Sequence, residues 1–231
     1  MEIFCRKLIK NYSEFFKKEY KMETYPNQSV LSCLCLIAKC IEINPDYVID
    51  IGTNYGASTL SLAYALKKLG KDLSCLITID KELSYWAKTI SEVQNKLMGE
   101  YDINPCRINM ITADFKDIDP LKIIKSDSKN LLFYDIHDVK DVSFFDWFIK
   151  NWVPLLKGSI IGIHDASLVP KNFQYQPAEK EDPDYPHVLA HHYSGKTISG
   201  FSECNVIIDW LNDIKKDFYS VKDTSIVFID L

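Results

Sequence analysis

Acidic residues and histidines recur in this chain where short apolar runs end. Asp80 closes Cys75-Leu-Ile-Thr-Ile-Asp80, Asp114 follows Ile108-Asn-Met-Ile-Thr-Ala, and Asp135, His137 and Asp138 follow Leu131-Leu-Phe-Tyr. His164-Asp165 closes Gly158-Ser-Ile-Ile-Gly-Ile. If the runs are sequential parallel strands, Asp135, His164 and Asp165 face a common point. Two carboxylates and an imidazole there suit an octahedral divalent cation that keeps water positions open for a substrate. His164 serves equally well as an orienting partner of Asp165 behind such a site. His137, whose imidazole titrates near neutral pH, is the candidate proton acceptor, with Asp138 beside it; a histidine bonding loop backbone fits the same position. An acid at the end of a second strand, as Asp80 is, can accept both hydroxyls of a ribose. Glu82 is its alternative, or caps the following helix, whose first turn favours acids.

The element that positions these groups is Tyr47-Val-Ile-Asp-Ile-Gly-Thr-Asn-Tyr-Gly-Ala-Ser-Thr59. Its first residues are an almost unbroken run of β-formers, as in a parallel strand covered on both faces. From Ser58 the apolar spacing turns helical, through Leu60, Leu62, Ala63, Leu66 and Leu69. Gly52 and Gly56 flank the turn between, where the lack of a Cβ permits a positive φ and close approach of a ligand. The helix behind them presents unpaired N–H groups. The spacing is neither Gly-x-Gly-x-x-Gly nor a phosphate loop ending in Gly-Lys-Ser/Thr. What stands is Asp50-x-Gly52-x-x-x-Gly56-x-Ser58.

That arrangement resembles motif I of class I S-adenosylmethionine (SAM) dependent methyltransferases, in the form found in catechol O-methyltransferase and the macrocin O-methyltransferase and cephalosporin-hydroxylase-type group. The resemblance covers residues 27–231. It implies an α/β fold with a doubly wound, mostly parallel, seven-stranded Rossmann-like sheet, an antiparallel last strand and N-terminal helices. It implies that Asp50 lies near the cationic end of SAM and that Gly52, Thr53, Asn54, Tyr55, Gly56 and Ser58 wrap the cofactor. Asp80 is then the ribose ligand, and Asp114 with Phe115 the adenine contacts, although a loop Asp capping a helix explains Asp114 as well. Asp135 falls at the cofactor's reactive end and, with Asp165, matches the family's magnesium ligands. His164 replaces an acid in that set; magnesium prefers oxygen, so a His ligand there favours Mn²⁺ or another transition metal over Mg²⁺.

The implied activity is SAM-dependent, divalent-metal-dependent O-methylation of a hydroxyl on a small molecule: a sugar, glycoside or natural product. The alternatives are a metal-independent N- or carboxyl-methyltransferase, and a non-catalytic SAM-binding or interaction module. A metal would bind the acceptor oxygen and lower its pKa.

The length of 231 residues, with 47% hydrophobic and 26% charged content, fits one soluble α/β domain over residues 1–231. A net charge of −5 with mixed signs offers no basic stripe for nucleic acid. The seven cysteines are odd in number and sit mainly in apolar runs. Cys33-Leu-Cys35 lacks the spacing of a redox or zinc motif, so free thiols and a cytoplasmic location are expected, with no membrane segment. Residues 1–45 read as an N-terminal helical cap. The stripe Ile3, Phe4, Leu8, Ile9, Tyr12, Phe15 and Phe16 suits packing on the sheet or, alternatively, a homodimer surface. Helices are expected at 82–98, 141–154 and 203–216, and closing strands at 218–221 and 225–231. Residues 166–201, rich in Pro, Tyr and His, are expected to be a substrate lid.

Overall fold

The computed structural model describes residues 1–22, 28–125, 127–136, 143–164, 210, 213–214, 216, 218–220, 224 and 226–231. The expected lid at 166–201 and most of the helix at 203–216 lie outside the described residues.

Strands β1 (Tyr47–Ile51), β2 (Leu76–Asp80), β3 (Asn109–Thr112), β4 (Asn130–Tyr134) and β5 (Ile160–Ile163) run parallel. With β6 (Phe218–Ser220) and β7 (Val227–Asp230) they form one seven-stranded sheet in the order β3-β2-β1-β4-β5-β7-β6. β7 is antiparallel to both of its neighbours. The sheet is therefore the doubly wound, mostly parallel one expected, with the last strand reversed.

Strand alternation divides the core. Leu131 and Phe133 of β4 face the helices α1 (Glu2–Tyr20), α2 (Val30–Ile43) and α3 (Ala57–Lys68). Leu132 and Tyr134 face Phe145 and Phe148 of α7 (Ser143–Asn151) and Trp152 just after it, on the side that also holds Ile123 of the short α6 (Pro120–Ile123). Both faces are covered, which is why the strands read as near-continuous apolar runs. α2 starts at Ser29, whose hydroxyl accepts the Ser32 N–H at 3.0 Å.

Most of the N-terminal stripe packs within the chain, while Ile3 is exposed. Phe4, Leu8, Tyr12, Phe15 and Phe16 are buried, and Phe4 stacks on Tyr64 of α3 with ring centroids 4.2 Å apart. Each such side chain contributes about 1.5–3 kcal/mol by leaving water. The helix expected at 82–98 is instead α4 (Ser84–Thr89), a π-helical turn (Ile90–Gln94) and α5 (Asn95–Glu100). The wider turn brings the fully buried Gln94 against α1, where its Oε1 accepts Asn11 Nδ2 at 3.1 Å and its Nε2 donates to the Leu8 carbonyl at 3.4 Å. Such bulges trade a regular turn for a contact that the regular turn cannot make.

The six described cysteines are free. Burial pushes the Cys33 thiol up to about 12 and Cys5 to about 11, so both stay protonated and unreactive. Among the described residues no helix is long and apolar enough to cross a membrane.

Candidate active site

Because β1 to β5 are parallel, their carboxyl ends share one edge, and that edge carries Gly52, Asp80, Asp114, Asp135 and His164. β1 lies between β2 and β4, so the loops leaving β1 and β4 diverge there. This is the switch point at which open α/β sheets bind ligands.

The glycines of the first loop are explained by contact. Gly52 has φ +99°, and a Cβ on it would stand 2.2 Å from the Asp135 carbonyl oxygen. Its N–H donates to the Ile79 carbonyl at 2.9 Å, fastening the loop across the ends of β1 and β2. Gly56 has φ +91°, and a Cβ there would overlap the Trp86 ring at 2.1 Å. Gly56 caps α3 with no side-chain bond, which leaves the first amides of a twelve-residue helix open at the loop.

Several side chains at the loop are turned inward: Asp50, Thr53 and Ser58 are buried. Asp50 is fully buried, and its Oδ2 accepts the hydroxyls of Ser58 at 3.1 Å, Thr59 and Thr78 at 3.4 Å. Its Oδ1 has no hydrogen-bond partner among the described residues. Burial, reinforced by the nearby Asp135 charge and opposed by these hydroxyls, pushes the Asp50 carboxyl up to about 7. Through Oδ2, Asp50 braces α3 against β1 and β2. Thr53 is buried on Thr78, and Tyr55 packs among Phe16, Tyr20 and Tyr85. Asn54 is exposed in the left-handed conformation at φ 46°. What the loop offers a ligand is backbone.

Asp80 is fixed toward that loop. Its Oδ2 accepts the Asn54 N–H at 2.7 Å and its Oδ1 the Glu82 N–H at 3.1 Å. A carboxylate has about four lone-pair sites, so it retains acceptor capacity toward a diol. Glu82 accepts the Ser84 hydroxyl and serves the start of α4. Asp114 is exposed and caps a 3₁₀ turn by accepting the Lys116 N–H at 3.0 Å. Phe115, 3% exposed, is held among Tyr134, Trp147, Phe148 and Trp152, so its ring belongs to the core.

Asp135 and His164 do come together. β4 and β5 are in register, and His164 Nδ1 lies 3.0 Å from Asp135 Oδ1. An ionised carboxylate only accepts, so with Asp135 ionised Nδ1 is the donor in this contact. Gln28, 7% exposed, was not foreseen; its Nε2 donates to Asp135 Oδ2 at 3.5 Å while its Oε1 accepts the Cys33 thiol. It stands just before α2, where the sequence signals only a helix start. His137, Asp138 and Asp165 lie outside the described residues.

This edge, with a glycine loop, an oriented acid on the second strand and an acid at the end of the fourth, defines a class I SAM-dependent methyltransferase. Residues 49–166 match the family described as a methyltransferase domain (Methyltransf_24), and the chain belongs to that family. No curated protein matches it. Among solved structures it is similar to the SAH-bound methyltransferase PaMTH1 of Podospora anserina, at 13% identity over 97% of this chain and 87% of that one, with a TM-score of 0.61. It is similar to the O-methyltransferase TomG of Streptomyces achromogenes, involved in tomaymycin synthesis and solved with SAM (15% identity, 97% and 89% coverage, TM-score 0.59). A third is a caffeoyl-CoA O-methyltransferase assignment from Staphylococcus aureus (15% identity, 96% and 92% coverage, TM-score 0.57). At these identities the likeness establishes the shared fold.

Proposed function

We propose that this enzyme methylates a hydroxyl of a small molecule, with sugars and natural-product glycosides the favoured acceptors. The observation that carries this reading is the Asp135–His164 contact at the edge of the sheet beside Gly52. A hydroxyl is a weak nucleophile until its proton is removed, and an imidazole held by a carboxylate is a group that removes it. TomG, an O-methyltransferase of a small-molecule synthesis, has the same fold and supports the acceptor class.

The residues present fit the cofactor. Asp80 retains acceptor capacity for a ribose diol, and the positive-φ backbone at Gly52, Asn54 and Gly56 forms a ledge free of Cβ bulk at the glycines. SAM supplies an electrophilic methyl group on a sulfonium. The chain's part is to align the acceptor oxygen with that methyl and take its proton, His164 Nε2 receiving it while Asp135 steadies the resulting imidazolium. His137 is the second candidate for that proton.

A divalent cation on Asp135, His164 and Asp165 is the other route to an ionised acceptor. Of those three, Asp135 and His164 lie 3.0 Å apart and would supply two ligands, while Asp165 lies outside the described residues. The test is methyl transfer from SAM to a panel of hydroxylated sugars and glycosides, read by mass spectrometry, with and without EDTA. No methylated product from any hydroxylated acceptor removes the reading. Activity that survives EDTA assigns proton removal to the Asp135–His164 pair. Loss with EDTA, restored by Mg²⁺ or Mn²⁺, assigns it to a cation held with Asp165.

A further inference from the structure

The middle of the glycine loop is held by the N-terminal helix. Tyr12 of α1 is fully buried, and its hydroxyl donates to the Tyr55 carbonyl at 2.7 Å. Thr89 Oγ1 also lies 2.9 Å from that carbonyl, but its one proton faces the Tyr85 and Trp86 carbonyls of its own helix at 3.0 and 3.1 Å as well. Tyr12 makes the shorter of the two contacts, and its hydroxyl also bonds with Thr89 and Gln94.

The Tyr55 C=O and the Gly56 N–H belong to one planar peptide unit and point in opposite directions. Fixing the carbonyl thus fixes the Gly56 amide, which donates to the Thr53 carbonyl at 2.7 Å and closes the turn into α3. The Tyr55 ring is tied to the same helix, with its hydroxyl 3.0 Å from that of Tyr20 and its centroid 4.8 Å from Phe16. Tyr55 lies between two of the loop's three positive-φ residues, Asn54 and Gly56, the third being Gly52. Such a conformation persists where its surroundings enforce it.

We propose that Tyr12 is a positioning residue for the cofactor loop, so that docking of α1 and binding of SAM are one coupled equilibrium although α1 supplies no ligand atom. The inference rests on the assignment of the Gly52–Gly56 loop to SAM. It makes α1 part of the cofactor site's machinery, beyond its service as a cap on the core.

The experiment uses the full chain and SAM as the probe. Tyr12→Phe keeps the ring and removes the donor; its Kd for SAM is expected to rise about fivefold or more, with KM for SAM rising in parallel and kcat at saturating SAM unchanged. Leu8→Ala, on the same helix and fully buried, lowers the melting temperature through a cavity but leaves the Tyr12–Tyr55 bond in place, so its SAM affinity at low temperature stays within twofold of wild type. In the unmodified protein, SAM is expected to slow amide exchange along residues 2–20. Wild-type affinity in Tyr12→Phe or α1 exchange indifferent to SAM would each overturn the coupling, and equal weakening by Leu8→Ala would overturn the assignment of the effect to the Tyr12 hydroxyl. Absence of SAM binding by the wild type would instead overturn the loop assignment beneath it, and the inference with it.

Discussion

The backbone nitrogen of Asn54 lies 2.7 Å from Oδ2 of Asp80, so the loop after β1 and the acid ending β2 are one hydrogen-bonded unit. The bond costs Asp80 one lone pair and aims the rest of the carboxylate along the loop. Asp80→Ala removes a charged acceptor for the ribose hydroxyls and frees the Asn54 amide together. SAM binding is expected to weaken by about 1.5–3 kcal/mol, roughly tenfold to a hundredfold in Kd. Calorimetric titration reads it, and unchanged affinity would remove Asp80 from the cofactor site.

Gly56 carries two constraints that a single substitution violates together. Alanine at φ +91° costs about 1–2 kcal/mol for the left-handed backbone, and its Cβ overlaps the Trp86 ring, an overpacking cost of about 1–3 kcal/mol. Gly56→Ala is expected to lower the melting temperature by about 5–10 °C. Adding Trp86→Leu relieves the overlap and leaves the backbone cost, so the double variant should be less destabilised than the two single effects sum to. Strict additivity would show that the two residues do not meet.

The sheet was legible because its signal is local. Tyr47–Ile51, Leu76–Asp80 and Leu131–Tyr134 are runs of β-formers buried on both faces, and Gly52 and Gly56 mark where the first one turns. The meeting of Asp135 and His164 followed from strand order alone. Side-chain direction was less legible. Asp50 reads as an acid inside the strand end, and the strand's period of two turns it under α3, onto Ser58, Thr59 and Thr78, partners that its own spacing does not announce. Phe115 follows an exposed acid but packs into four aromatic rings contributed by β4, α7 and the turn after α7. Gln28 and Tyr12 reach the site from elements distant in sequence, and no spacing within their own segments announces such contacts.

Asp50 should make stability depend on pH across a defined window. Its carboxyl is raised from 3.8 to about 7 in the folded state, so the folded chain holds a proton that the unfolded chain releases. The contribution is fully present below about pH 4, falls as pH rises, and is gone above about pH 7. A shift of this size corresponds to about 4 kcal/mol as an order of magnitude. Asp50→Asn carries no charge at any pH, so its denaturant midpoint should vary less between pH 4 and 7 and should equal or exceed that of the wild type at pH 8. An unchanged pH profile would show that Asp50 does not titrate in this window.

Asp135→Asn tests the chemistry while sparing the cofactor loop, because Gly52 meets Asp135 through its backbone carbonyl and not its carboxylate. Asparagine keeps the shape but can present its amide N–H to His164 Nδ1, which favours the opposite tautomer and moves the ring's proton to Nε2. The proton acceptor is then blocked. Turnover is expected to fall by about 10²–10⁴-fold, with the Kd for SAM close to that of the wild type. If the imidazole is the group that titrates, the acidic limb of the wild-type pH–rate profile belongs to His164, and His164→Gln should abolish that limb along with the activity. Full turnover in Asp135→Asn with an unaltered pH profile would separate the pair from proton transfer and return the role to residues beyond β4 and β5, His137 first among them.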